Sequence, residues 1–421
     1  MQRHVRLAAP LAMAAIILAA CQGGGNTSSN PASGGGKSVT IGVDLPLSGG
    51  EAPNGEPTLK GIQLAVKEAN ANGGVGGYQV TVSVKDDAVN GVHNPDQGAT
   101  NVQQLVSDSS VVGMVGPYNS NVGAAEIPVT SAAGLLQCSP ANTNPSLTKP
   151  DASGKLLRGD NKVSYVRTAA TDDFQGPALA VYLHDTLGKK AVFIVDDTET
   201  YGKGLADEFE KKFKELGGTV TGRQGVPNSD GSADYTSVLT AAKGQNPDSV
   251  MYGGVTTTGG AKLRNQMADV GMGDLPYIGG DGIVDGGAKT DGSFMNLAGD
   301  NAANSFGSVA AIHDIPDPEG FAKKYKDEYN EDPGAYSAPA YACTQIILKA
   351  IAESAAKASD MAALREAVRA YVTDSANTFD TVLGPIKFDE NGDTSQKIIS
   401  MYKADTSAGD WVFDKQIDLT K

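Results

Sequence analysis

Val39-Thr40-Ile41-Gly42-Val43-Asp44-Leu45, followed by the amphipathic stretch Thr58 to Ala71, decides the fold. The first run is short, β-branched and apolar. The second repeats its apolar positions at helical spacing, so the pair reads as a strand feeding a helix. The same unit recurs down the chain. Strands are predicted at 78–86, 111–116 and 135–139, with helices at 96–107 and 120–133 between them. A second series opens with a strand at 164–168 and continues through strands at 190–196, 219–225, 248–253 and 275–279. Its helices are predicted at 174–187, 202–216, 235–243 and 257–270. Strands alternating with helices in this way specify an α/β protein with mostly parallel sheets flanked by helices. Two series of similar size specify two lobes.

The later part departs from this pattern. Residues 304–312 read as extended, 318–330, 337–358 and 361–373 as helical, and the C-terminal stretch as short antiparallel strands. Asn72-Gly73-Gly74 and Gly217-Gly218 end helices, and Glu390-Asn391-Gly392-Asp393 reads as a tight turn between two short strands.

Arg3 and Arg6 precede an apolar run from Leu7 to Ala20, too short and wrongly flanked for a membrane span, so residues 1–20 are expected to be an export signal. The junction Leu18-Ala19-Ala20-Cys21 resembles the bacterial lipoprotein signal, which implies that Cys21 is lipidated and becomes the new N-terminus. An ordinary signal with a chance cysteine is the alternative. Residues 21–38, rich in Gly, Ser, Asn and Thr, cannot bury apolar surface and read as a flexible tether.

The remaining body, about 380 residues, is long enough for two domains. Without Arg3 and Arg6 the chain carries 32 basic against 49 acidic residues, a charge near −17. Such a surface repels nucleic acid and anionic lipid headgroups, so contact with a membrane is expected through the lipid anchor only. Besides Cys21 there are only Cys138 and Cys343, too few for a disulfide scaffold. They are either joined or buried as free thiols.

Catalytic and cofactor signatures are missing. His4, His93, His184 and His313 are far apart and none has a partner at metal-ligand spacing, so no metal site is expected. There is no nucleophile-elbow serine or phosphate-binding loop, and Gly202-Lys203-Gly204 lacks the third glycine of a dinucleotide loop, Asp207 standing there instead. Asp86-Asp87 and Asp196-Asp197 end strands and are expected to be solvated. The chain is read as a non-enzyme without a cofactor.

Taken in order, Ile41-Gly42-Val43 to Leu47-Ser48-Gly49, Gly61-Ile62-Gln63-Leu64-Ala65, Asn70 to Gly77, Lys85-Asp86-Asp87, Gly116 to Ser120 and Ser139-Pro140-Ala141 with Thr143 resemble the branched-chain amino-acid-binding proteins of bacterial ABC importers. So do Tyr201 to Ala206, Asp234-Tyr235, Met251 to Gly254 and Thr381 to Ile386, across essentially the whole body, with longer loops near 151–162 and 286–292. The resemblance implies a type I periplasmic-binding fold. Its two lobes would comprise 39–168 with 312–380 and 169–311 with 381–421, joined by crossovers near Thr168 to Thr171, Val309 to Ile312 and Phe379 to Leu383.

Ligand would then sit between the lobes. Ser120 follows a strand and caps a helix, where free N–H groups and the helix dipole favour an anion. The resemblance implies that its hydroxyl and the Thr143 backbone hold a ligand carboxylate. It also implies that the Ala141 carbonyl, the Thr143 hydroxyl and Asp281 hold an ammonium. Tyr201 and Tyr336 would close over the ligand, and Tyr118, Asn119, Asn54 and Val255 would shape the remainder. Asn54 and Val255 stand where tyrosines are expected, and Tyr118 where a leucine is, so the side-chain pocket looks rebuilt around a retained main-chain clamp.

The resulting expectation is a monomeric, exported solute-binding lipoprotein that captures a small amino acid or related compound and delivers it to ABC permease subunits. It would sit on the outer face of the cytoplasmic membrane, or in the periplasm or at the outer membrane of a Gram-negative host. A ligand sensor of the same fold for amides, urea or other small molecules is the first alternative, and a lipid-anchored hydrolase the second. Cys21→Ser should abolish lipidation and leave the chain soluble or uncleaved, read by membrane fractionation. A mature Cys21→Ser protein that stays in the membrane fraction would overturn the anchor.

Overall fold

The computed structural model describes residues 37–150, 153–229, 231–316 and 320–419. The expected export signal, Cys21 and nearly all of the tether lie outside the described residues. Sixteen strands and eleven α-helices follow one another among the described residues. The first third holds β1 (Lys37–Leu45), α1 (Ala52–Ala71), β2 (Tyr78–Asp86), the two-residue strands β3 (Ala88–Val89) and β4 (Val92–His93), α2 (Pro95–Ser107), β5 (Val111–Val115), α3 (Ser120–Ala133), β6 (Gln137–Ser139) and β7 (Tyr165–Arg167). Next come α4 (Asp172–Val181), β8 (Ala191–Asp196), α5 (Thr200–Glu215), β9 (Thr219–Gly225), α6 (Thr236–Lys243), β10 (Ser249–Gly253), α7 (Ala261–Asp269), β11 (Tyr277–Gly279), α8 (Phe294–Ala298) and β12 (Ser305–Val309). The chain ends with α9 (Phe321–Tyr329), α10 (Ser337–Ser354), α11 (Met361–Val372), β13 (Phe379–Thr381), β14 (Gly384–Ile386), β15 (Ile398–Asp405) and β16 (Asp410–Asp418).

Two sheets organise these elements. The first, in the order β2-β1-β5-β6-β7, is parallel throughout. The second runs β16-β15-β12-β11-β10-β8-β9, parallel from β9 to β12 and closed by antiparallel β15 and β16. Val39, Ile41, Val43 and Leu45 of β1 are all buried, and so is Asp44 between them, because helices cover both faces of the sheet. The late helices return to the first lobe, with α10 along α1 and α11 against β5.

Several local expectations are corrected. The first helix begins at Ala52 rather than Thr58, since Pro53 lies in its opening turn, where a missing N–H costs nothing. Pro57 is accommodated inside it, its carbonyl accepting from Ser337 Oγ at 2.8 Å and Tyr325 OH at 3.2 Å. The helix expected at 257–270 is broken into a π-turn at Thr256–Gly260 and α7, with Gly259 at φ 123° where a side chain would be strained. The carboxylates expected to be solvated are mostly buried. Asp87, Asp196 and Asp197 are shielded, and only Asp86 is partly open. Asp86 Oδ1 accepts the Leu47 and Ala88 N–H groups, Asp196 pairs with Arg223 at 2.9 Å, and Asp197 accepts from the Glu199 N–H and Thr258 Oγ1.

The third passage between lobes comes later than Phe379 to Leu383. The Val382 N–H donates to Gln345 Oε1 of α10, and the turn after Phe388 docks on β7, where the Arg167 N–H donates to the Gly392 carbonyl at 3.1 Å. Gly392 sits at φ 96°, and a Cβ there would lie 2.2 Å from the Tyr165 carbonyl. The chain therefore joins the second sheet only at Ile398.

Cys138 of β6 and Cys343 of α10 form a disulfide across 205 residues of sequence. Closing so long a loop in the unfolded chain contributes at most about 5 kcal/mol by chain entropy. The double variant Cys138→Ser, Cys343→Ser should lose about 2–5 kcal/mol of unfolding free energy in denaturant titration. Unchanged stability would show that the native packing alone holds α10 on the sheet.

Candidate functional site

The site is built from loops at the C-terminal ends of parallel strands, where open α/β sheets place their ligands. After β5 the chain turns through a cis Gly116–Pro117 bond into α3. The helix is entered at Asn119, which occupies the cap position, so Ser120 is its first helical residue rather than the cap expected. Ser120 Oγ accepts from the Asn144 N–H at 3.3 Å. After β6 the loop Pro140–Asn144 is tied to this turn. Ser139 Oγ donates to the Pro117 carbonyl at 2.7 Å, and Asn142 Nδ2 donates to the Tyr118 carbonyl at 2.8 Å.

The second lobe faces these loops with α5 and the turn after β11. Asp281 is buried and accepts from Gln175 Nε2 at 2.6 Å and Tyr201 OH at 2.9 Å, both on Oδ1. Burial raises its carboxyl above the usual range, opposed by those two donors. Val255 is fixed by its N–H donating to Thr258 Oγ1 at 3.0 Å.

Eight of the ten ligand-binding residues expected from the sequence line one cavity between the lobes: Tyr118, Asn119, Ser120, Ala141, Thr143, Tyr201, Val255 and Asp281. The cavity measures about 10 Å³, the scale of one water molecule, so the lobes are closed on each other. Tyr336 and Asn54 do not line it. They stand just outside, behind Tyr118, whose ring meets Tyr336 edge to face at 5.4 Å and whose hydroxyl donates to Asn54 Oδ1 at 3.1 Å. Both border a wider interlobe groove of about 1060 Å³ that also includes Asp285, a carboxyl that burial pushes up to about 7.

Sequence reasoning missed three further parts. Asp172 opens α4 fully buried, with both oxygens lacking a hydrogen bond of good geometry, beside the equally unpaired Thr143 hydroxyl. Burial and then the charge of Asp281 hold its carboxyl well above the usual range. The only signal was an acid pair, Asp172-Asp173, just past the expected crossover. His93 and Glu199 also line the cavity, and their pairing spans too much sequence to be read locally. Asn121, beside the predicted Ser120, donates to Glu199 Oε2 at 2.9 Å. Among the described residues no group of three His, Cys, Asp or Glu side chains could hold a metal, and no helix is long and apolar enough to cross a membrane.

The periplasmic binding protein family model matches residues 38–410. A Leu/Ile/Val-binding protein homolog 2 of Brucella abortus is 33% identical over 365 residues, 87% of this chain and 90% of the relative. The crystal structure of a leucine-binding protein, LivK of Thermotoga maritima, is similar with a TM-score of 0.73 at 25% identity, covering 91% of this chain and 99% of that one. LivJ of Streptococcus pneumoniae, in complex with isoleucine, gives 0.72 at 26% identity, covering 90% and 100%.

Closure leaves no free space at Gly204. Asn144 Nδ2 of the first lobe donates to the Thr200 carbonyl of the second at 2.5 Å, and a Cβ on Gly204 would lie 2.1 Å from that nitrogen. Gly204→Ala should raise the intrinsic stability of α5 by up to about 1 kcal/mol while obstructing closure. Expected is an unchanged or higher melting temperature with faster hydrogen exchange in the loops facing Asn144. Unchanged exchange would mean that the contact yields without opening the lobes.

Proposed function

The chain belongs to the periplasmic binding protein family, and on that premise we propose that it captures a small amino acid or related compound between its lobes and delivers it to an ABC permease. The observation that carries this reading is the opposition of unlike polar groups across one cavity. A helix N-terminus with Ser120 and Thr143 faces it from the first lobe, and the buried Asp281 faces it from the second. A zwitterion fits that pairing, since each of its charges meets its opposite.

In this reading Ser120 Oγ and the Thr143 backbone take the ligand carboxylate, where the dipole of α3 adds to them. The Ala141 carbonyl, the Thr143 hydroxyl and Asp281 take the ammonium. Tyr201 holds Asp281 in place and covers the ligand, while Tyr118, Asn119 and Val255, backed by Tyr336 and Asn54, shape the end that receives the side chain. The ligand touches both lobes only when they are shut, so its binding free energy is realised in the closed form. No covalent step is required.

The protein would act as a monomer outside the cytoplasm, tethered through a lipid on Cys21, with the closed form recognised by the permease subunits.

Calorimetry on an amino-acid and amide panel, including 4-methylpentanoate as the desamino analogue of leucine, tests the clamp. Amino acids should bind, and the desamino analogue should be at least about 30-fold weaker, the equivalent of about 2 kcal/mol for an unpaired buried charge. Asp281→Ala should cost a similar factor. Equal affinity for the desamino analogue, or no effect of Asp281→Ala, would sink the clamp in favour of an amide, urea or other non-amino-acid ligand.

A further inference from the structure

The lobes are also held together by a contact that needs no ligand. His93, on β4 in the first lobe, is buried with both ring nitrogens against carboxylates. Nδ1 is 3.0 Å from Glu51 Oε1, and Nε2 is 2.7 Å from Glu199 Oε2. Glu51 belongs to the first lobe, just ahead of α1. Glu199 belongs to the second, at the cap position of α5. Two further bonds cross the same seam: Thr257 Oγ1 of the second lobe donates to Glu51 Oε1, and Asn121 Nδ2 of the first donates to Glu199 Oε2 at 2.9 Å.

The geometry fixes the chemistry of the ring. A neutral imidazole has one donor and one lone pair, so one of its nitrogens would face a carboxylate oxygen lone pair to lone pair. Two ionised acceptors on opposite sides are satisfied only by the doubly donating imidazolium. Charge-assisted bonds of this kind are among the strong ones, and here they are shielded from water. Opening the lobes would break the bond to Glu199 and strip Thr257 from Glu51, leaving the His93–Glu51 pair on the first lobe.

We propose that His93 is a closure latch, a positioning residue seated by Glu51 that captures Glu199 of the opposite lobe, so that the closed form is populated before a ligand arrives. The consequence for affinity rests on the amino-acid reading of the cavity, whereas the consequence for shape does not. Besides Glu51 and Glu199, the carboxyls of Asp87, at the end of β2, and Asp197, after β8, face the ring. Burial opposes the charge on His93, but the Glu51 and Glu199 carboxylates outweigh it and hold the imidazolium well above its usual range. Glu51 raises that value in either form and Glu199 adds to it only in the closed one, so the latch is engaged while the ring is protonated and is lost as pH rises through the closed form's value.

Small-angle scattering of the ligand-free chain between pH 6 and pH 10 tests the latch, comparing the native protein with His93→Gln and Glu199→Gln. Glu199 is partly open to solvent, so its variant keeps the fold even where His93→Gln costs stability. The native chain should be compact at pH 6–7 and expand at alkaline pH, and both variants should be expanded at every pH. Titration with L-isoleucine should show at least tenfold weaker binding for Glu199→Gln and a loss of the alkaline decline. Identical dimensions and pH profiles for the native chain and Glu199→Gln would overturn the latch. Absence of isoleucine binding with the scattering difference intact would count against that ligand alone and leave the latch standing.

Discussion

The guanidinium of Arg167 is the interaction on which the remaining geometry depends. It is fully buried, with Nε donating to Asp393 Oδ1 at 2.7 Å, Nη2 to Thr148 Oγ1 at 2.7 Å and Nη1 to the carbonyls of Asn144 at 2.8 Å and Asn142 at 3.3 Å. Those carbonyls flank Thr143, Arg167 itself ends β7 beside the first passage between lobes, and Asp393 belongs to the turn that leads into the last. One planar cation thus fixes the cavity loop and two of the three connections. Removing one member of such a pair strands a charge away from water, at about 3–5 kcal/mol. A lysine could not substitute, because a point charge cannot span four acceptors in a plane.

Much of the rest is a problem of surplus negative charge. The full chain carries 49 acidic against 34 basic residues, and several of the acids are fully buried. Asp44, Asp87 and Glu126 crowd inside the first lobe, where burial raises all three, Asp44 to about 6, and the charge of Asp44 adds to the rise of the other two. Asn101 and Gln137 donate to two of them, at 2.8 and 2.6 Å. Asp197 and Asp285 are each held near 7 in the second lobe. Carboxyls raised in this way are stabilising in their protonated form and lose that contribution as pH rises through the folded values. In such surroundings a single cation, whether Arg167 or the ring of His93, has many partners to choose from, and position decides which it takes.

What the sequence made legible follows from range. β1 and α1 and the alternation after them were readable because each depends on neighbours a few residues away, whereas Thr143, Tyr201 and Asp281 were reached through the family resemblance, and the structure brings them with Ser120 to one cavity. The start of α1 was misread because Pro53 sits in the opening turn, where its missing N–H costs nothing, and because Pro57 is carried inside the helix with its carbonyl accepting from Ser337 of α10 and Tyr325 of α9. The solvated acids were misread for the same reason: Arg223, Thr258 and turn N–H groups bury them. The disulfide, the His93–Glu199 bond and the unpaired Asp172 are products of lobe assembly, and no local pattern announces them.

The order of strands has a consequence for how the chain comes together. The first lobe needs α10, and the disulfide that pins it joins residues 205 apart. The second lobe needs β15, which pairs with β12 only after the chain has travelled through α9, α10, α11 and β14. Neither lobe is a continuous segment, so neither has its full complement of elements until the final strands exist. A chain emerging N-terminus first therefore exposes the flank of β12, an open strand edge of the kind that invites intermolecular pairing. Its safety from aggregation is a matter of timing: the interval between the appearance of β12 and the arrival of β15 is set by the length of chain between them.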